Sequence, residues 1–335
     1  MPPEARLLNL MFGQAVASCI SALARLGVAD HMSSTEATDV SVLAAKSGAQ
    51  EPPLYRVLRV MASVGVFTQH GRAFQLTDVG AVLRSDHPRS LRPLNVTWGD
   101  PWRLRAYEQL TQTLETGTDG VQLAYGKNAW DYFEEFPDQA FSFNQAMTSF
   151  SRASGAAILD AYDFTPIKNL ADVGGGHGWL LSSILRRYPS MNGVLFDRQS
   201  VITEAIAAGH FEGIEMRSEY VAGSFFETVP SGCDAYLMKH IAHDWHDEGC
   251  IKILRLMRER LPANGRVLVC DMVVNETPDP SPAKLLDIEM LACTVGGKER
   301  TEREFAELFT AAGLRLERIV PTESPVCVIE ARLAQ

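Results

Sequence analysis

The chain has 335 residues and 46% hydrophobic content, which excludes global disorder and makes two domains the expectation. Its 31 Lys and Arg against 41 Asp and Glu give a formal charge of −10, so the basic footprint that nucleic-acid binding draws on is missing and a small-molecule partner is favoured. Six cysteines, Cys19, Cys233, Cys250, Cys270, Cys293 and Cys327, make no C-x-x-C pair and no regular spacing, so neither a disulfide framework nor a zinc site is expected, and reduced thiols suit a cytoplasmic location.

At the N-terminus Leu8, Met11, Phe12, Ala15, Cys19, Leu23 and Leu26 cover more than one face of a helix, which asks for a partner. No uninterrupted apolar run approaches the roughly 18 residues of a membrane span, and Glu4 and Arg6 break the layout of a signal segment. Leu54, Val57, Leu58 and Met61 recur at helical spacing, and VFTQHGRAFQLT alternates about His70-Gly71-Arg72 as a hairpin would. Helix, helix and hairpin predict a helical winged-helix domain over residues 1–95. Its wing offers only Arg72, and Arg56 and Arg59 stand without a basic cluster, so DNA is not the expected partner. Residues 96–165 read as a helical region rich in aromatics, among them Trp98, Trp102, Tyr107, Trp130, Tyr132 and Phe143, most of them core. From residue 166 onward NLADV, NGVLFD, DAYLMK and GRVLVCD alternate with helical segments, the pattern of a parallel α/β sheet covered on both faces. LRLERIVP and PVCVIEARL close it with an antiparallel hairpin.

Strand NLADV carries Asp172 and runs into Gly174-Gly175-Gly176-His177-Gly178, after which WLLSSILRRYP reads as a helix. That order lets backbone N–H groups and a helix N-terminus approach a ligand. Asp197 ends the next strand 19 residues beyond Gly178, where a carboxylate can accept from both hydroxyls of a ribose. The spacing is G-x-G-x-G, where the dinucleotide fingerprint is G-x-G-x-x-G, which favours S-adenosylmethionine over a nicotinamide dinucleotide.

Strand DAYLMK ends at Lys239, and His240-Ile241-Ala242-His243-Asp244-Trp245 follows at the sheet edge where α/β proteins bind ligands. An imidazole there can accept a proton near neutrality, and two histidines compete for the role. Asp271 ends strand GRVLVCD, and Glu299 lies in VGGKERTE. Flanked by Lys298 and Arg300, Glu299 reads equally as a solvated charge.

DVGGGHG, VLFD, MKHIAHDWHDEGCIKIL, GRVLVCDMVV and LACTVGGKERTEREFAELFTAAGL together resemble the S-adenosylmethionine-dependent O-methyltransferases of the plant caffeic acid and flavonoid type. Bacterial relatives of that family act on phenazines, anthracyclines and naphthoates. The resemblance spans nearly the whole chain. It implies a Rossmann-like class I methyltransferase sheet of seven strands over 166–335, a homodimer through the N-terminal domain, S-adenosyl-L-homocysteine as by-product, a small hydroxylated aromatic acceptor, and no metal, nucleic acid or membrane.

Carried over by motif, the resemblance selects His243 as general base, with Asp271 and Glu299 as buttressing carboxylates; Asp271 stands where plant members have Glu. It assigns Asp172, Gly174, Gly175, Gly176, Asp197, Gly223, Ser224, Phe225, Lys239, Met147 and Ser151 to the cofactor. Ser224 replaces an Asp of the plant motif, so a carboxylate near the adenine is missing. Asn144, Met147, Asp244, Met290 and Thr294 are expected at the acceptor. C- or N-methylation, a relative that no longer methylates, and a winged-helix regulator remain alternatives.

Overall fold

The computed structural model describes residues 1–334 and divides into two units, Met1–Leu104 with Asp138–Ala153, and Arg105–Pro137 with the chain from Ser154 onward. Of the segment read as one middle region, 96–165, residues up to Leu104 and Asp138–Ala153 fall in the first unit and the rest in the second.

In the first unit the apolar N-terminal stretch forms two helices, Pro3–Met11 and Gly13–Leu26, where the apolar pattern predicts one. Leu10 and Phe12 are 71% and 63% exposed, and none of Pro3–Met11 is buried. By length and composition alone residues 3–26 together pass for a membrane-crossing stretch, although Asn9, Gln14 and Ser18 interrupt the apolar run as expected. Asp39 accepts from Ser41 N and starts helix Val40–Ser47, and Gly48 ends it in the left-handed conformation. Helix Glu51–Ser63 buries Leu54, Leu58 and Met61 as the spacing predicts. Strands β1 (Thr38–Asp39), β2 (Phe67–His70) and β3 (Ala73–Leu76) make an antiparallel sheet in the order β1-β3-β2. The hairpin is the expected one; β1 is too short to show a period. Leu43, Leu58, Met61 and Phe74 are fully buried at the centre of this unit.

The second unit holds seven strands: β4 (Asn169–Val173), β5 (Asn192–Asp197), β6 (Ser218–Ala222), β7 (Ala235–Lys239), β8 (Arg266–Met272), β9 (Leu314–Val320) and β10 (Val326–Leu333). Their order is β6-β5-β4-β7-β8-β10-β9, parallel except that β10 runs antiparallel to both β8 and β9. All seven residues of β8 are buried, and its apolar run Val267–Cys270 is that of a strand covered on both faces. Helices Trp179–Arg187, Gln199–Ala208, Asp247–Arg260 and Glu302–Ala311 make the crossovers. Within the closing hairpin, fully buried Glu330 accepts from Arg318 Nε at 2.9 Å, Arg332 Nη2 at 2.7 Å and Tyr162 Oη at 3.0 Å, so its charge is matched on every side. The strand order reverses between β4 and β7, and the crevice beyond the carboxyl ends of such a sheet is where ligands bind.

Candidate functional site

Beyond β4 the chain turns sharply. Gly174, Gly176 and Gly178 have φ of +70°, +58° and +77°, which explains glycine at alternate positions. A Cβ at Gly174 would stand 2.5 Å from Ile241 Cδ1, whereas nothing lies within 4 Å of one at Gly176. The turn is closed on its sheet side and open over Gly176. Gly176 N donates to Asp197 Oδ2 at 2.9 Å, and Arg198 N donates to Oδ1 at 2.7 Å. Each carboxylate oxygen keeps a second lone pair, so Asp197 can still accept from two hydroxyls of a ribose. Burial raises the Asp197 pKa, and these two N–H groups oppose it. Gly223 N donates to Asp197 O at 3.0 Å, Ser224 Oγ accepts from Phe226 N at 3.3 Å, and Phe225 meets Trp245 edge-on at 6.1 Å. Burial pushes Asp172 up to about 7 and Lys239 down to about 8, each partly drawn back by the other's charge. The residues expected to hold a nucleoside cofactor in this unit thus share one edge of four adjacent strands, β6-β5-β4-β7, and the acceptors of Asp197 fit it.

His240, at φ +54°, is the one positive-φ residue other than glycine among those described. Such backbone is sparsely populated for residues with a side chain and tends to occur at functional sites. His240 N donates to Cys270 O at 3.2 Å and to Asp271 Oδ1 at 2.9 Å, which ties the end of β7 to the end of β8. A single 3-10 turn, Ala242–Asp244, then presents His243, and His246 caps helix Asp247–Arg260 by accepting from Gly249 N.

His243 Nδ1 lies 2.5 Å from Glu299 Oε1, and Nε2 lies 3.6 Å from Asp244 Oδ1. The His240 ring stacks on it at 5.0 Å. Burial alone would lower the His243 pKa, but the Glu299, Asp271 and Asp244 carboxylates win and raise it to about 10. Burial holds the His240 pKa well below its usual value, with Lys239 and His243 adding to it, so the two imidazoles are pushed in opposite directions. Asp244 is raised to about 7, first by burial and then by Asp271 and Glu299, against the pull of His243. Burial also raises Asp271. Asp271 Oδ2 and Glu299 Oε2 are buried without a hydrogen-bond partner, a polarity that suits an arriving ligand.

Of the two expected buttresses, only Glu299 bonds the imidazole of His243. Asp271 is held by His240, whose Nδ1 is 3.7 Å from Asp271 Oδ1. One ligand atom from each of His240, His243 and Asp271 lies within 4.8 Å of the others, a composition that could also hold a divalent cation. Met290 and Thr294 are buried at the end of helix Pro282–Cys293, where Thr294 Oγ1 donates to Met290 O at 2.7 Å. Asn144, Met147 and Ser151 stand at i, i+3 and i+7 on the part of helix Pro137–Ala161 that belongs to the first unit, half-buried on one face.

The sequence reading missed Arg300 and Asp287. Arg300 is 1% exposed and not a solvated charge, and Asp287 Oδ1 accepts from Glu299 N at 2.8 Å. The available signal was Gly296-Gly297: a Cβ at Gly297 would stand 2.3 Å from His243 O, so this loop lies directly on the main chain of His243.

Two family profiles match the chain, an O-methyltransferase domain over residues 107–315 and an O-methyltransferase dimerisation domain over residues 8–86. The phenazine O-methyltransferase PhzM of Lysobacter antibioticus is 37% identical over 333 residues, 99% of this chain and 97% of that one. The methyltransferase CalO1 of calicheamicin biosynthesis, solved with S-adenosylhomocysteine bound, matches with a TM-score of 0.87 and 35% identity over 100% of both chains. The neocarzinostatin-biosynthesis O-methyltransferase NcsB1, solved with S-adenosylmethionine and 2-hydroxy-5-methyl naphthoic acid, matches with a TM-score of 0.78 and 30% identity over 96% of both. With its seven-stranded class I sheet and an N-terminal helical dimerisation domain, the chain belongs to the family of S-adenosylmethionine-dependent O-methyltransferases.

Proposed function

We propose that the protein methylates a phenolic hydroxyl of a small, flat aromatic secondary metabolite, with His243 as general base. The observation that carries this is the clamped imidazole: Glu299 occupies Nδ1 at 2.5 Å, which fixes the tautomer and leaves Nε2 as the position that takes a proton. When bound, S-adenosylmethionine supplies an electrophilic methyl group on a sulfonium. Asp197 and the Gly174–Gly176 turn hold its ribose and methionine part, and the rings of Phe225 and Trp245 offer apolar faces to the adenine. Ser224 places a hydroxyl where a carboxylate is usual in the plant motif.

A phenol with pKa about 10 is mostly neutral at pH 7 and a poor nucleophile. His243 Nε2 takes the hydroxyl proton as the oxygen attacks, and Glu299 stabilises the resulting imidazolium. Asp244, beside Nε2, accepts from a neighbouring donor on the acceptor ring. Met290 and Thr294 line the acceptor. The substrates named for PhzM and NcsB1, phenazine and naphthoic acid, support an aromatic acceptor of two or three fused rings. Transfer of label from S-adenosylmethionine into hydroxyphenazines and hydroxynaphthoates tests this, and label found only in non-aromatic acceptors would overturn it.

The pH profile follows from the sign of the His243 shift. A pKa raised to about 10 leaves the ring protonated at neutrality, and the base form grows as pH rises. The value of kcat/KM should therefore climb with unit slope from pH 6 through 9, at the same position for two acceptors of different acidity. A limb that levels by pH 7 would show that the carboxylates do not hold the proton on His243.

The exposed apolar residues of 3–12 are the surface of a homodimer, in line with the dimerisation profile. Light scattering at micromolar concentration should return about twice 36.9 kDa, and a monomer mass would contradict it.

A further inference from the structure

We infer that Arg300 is a positioning residue for methyl transfer, holding the backbone on both sides of His243 so that Nε2 faces the acceptor. This rests on the reading of His243 as the base. Arg300 heads the fully buried side chains by volume, and its guanidinium spends its donors on one short segment. Nη1 donates to Ala242 O at 2.7 Å, and Nη2 donates to Trp245 O at 2.9 Å. Nη2 and Nε both reach Asp247 Oδ1, at 2.8 and 3.1 Å, and Nη2 lies 3.5 Å from Cys250 Sγ. The two carbonyls bracket His243 and Asp244. A planar fork can grip both at once, which an ammonium on a flexible stem cannot.

The same stretch holds the imidazole from its other side. Glu299, one residue earlier, takes Nδ1, and its own N–H is fixed by Asp287. Val274 N donates to Arg300 O at 3.0 Å, which ties the stretch to the chain leaving β8 just past Asp271. Gly297 leaves no room for a side chain against His243 O. Ring, flanking carbonyls and buttress are thus referred to one dipeptide, so a shift of Arg300 moves the turn while Glu299 stays, and the imidazole rotates off its line of attack. Displacements of about 1 Å at this kind of distance lower rates by about 10²-fold.

The guanidinium has a second effect on the site. Its charge, like that of His243, lowers the pKa of Asp271. Lysine at position 300 keeps that charge and loses the fork, so the two contributions separate by substitution.

The test compares wild type, Arg300→Lys, Arg300→Ala and His243→Ala, with exposed Arg303→Ala as a surface control. Arg300→Lys and Arg300→Ala are expected to bind S-adenosylhomocysteine with full stoichiometry and within about threefold of wild-type Kd, while kcat falls by about 10²-fold. Guanidinium chloride at millimolar concentration should restore part of kcat in Arg300→Ala and none in His243→Ala. Loss of kcat that only tracks loss of binding stoichiometry, wild-type kcat in Arg300→Lys, or a fully folded Arg300→Ala that guanidinium does not restore would overturn the proposal. Wild-type turnover in His243→Ala would instead remove the base reading, so the two failures are told apart.

Discussion

Replacing His243 with alanine is expected to lower the turnover of methyl transfer by about 10²–10⁴-fold, the range a positioned general base contributes. The side chain is buried and touches Glu299, Asp244 and the His240 ring, while the groups assigned to the ribose, Gly176 N and Asp197, stand on other strands. Calorimetry with S-adenosylhomocysteine should accordingly give an unchanged Kd. One further variant sharpens this. Glu299→Gln keeps a hydrogen-bond acceptor for Nδ1 but removes a charge that raises the His243 pKa, so its acid limb should move to lower pH. A profile identical to wild type in that variant would mean that the ion pair does not set the base's protonation.

Asp197→Ala should do the reverse, with a large loss in cofactor affinity. Its carboxylate already fixes Gly176 N and Arg198 N, so both oxygens are held in place before any ribose arrives. Two hydrogen bonds to a charged acceptor, each worth about 1.5–3 kcal/mol, correspond to about 10²–10⁴-fold in Kd. Removing the side chain also frees the Gly174–Gly178 turn, which adds to the loss. Turnover at saturating cofactor should recover most of the wild-type value. An unchanged Kd by calorimetry would place the ribose elsewhere.

Much of the cofactor edge was legible because it is local. Strand, alternate glycines and helix follow one another between residues 169 and 187, and each glycine answers a backbone angle that the turn itself imposes. Asp197 could be placed because parallel strands bring successive carboxyl ends to one edge. The imidazole's partners were less legible. Glu299 and Arg300 lie 56 and 57 residues past His243, in a segment of alternating charge with no hydrophobic period, and only the fold shows that both are buried. Asp271 or Glu299 was expected to orient His243; Glu299 bonds its ring, while Asp271 accepts from His240 N and stands close enough to act on His243 by charge. The break near Phe12 was hidden by an apolar pattern that continues through it, and the division of residues 96–165 between two units was hidden because aromatic content carries no information on which unit a residue joins.

The measurement that bears most directly on the central claim is a single turnover with S-adenosylmethionine carrying an isotopically labelled methyl group, followed by magnetic resonance of the product's methyl carbon, for wild type and His243→Ala side by side. The account predicts a methyl carbon bonded to oxygen on an aromatic ring in the wild type, and a rate lower by about 10²–10⁴-fold in the variant at equal cofactor occupancy. A methyl carbon bonded to nitrogen or carbon, or equal rates in the two proteins, would contradict it.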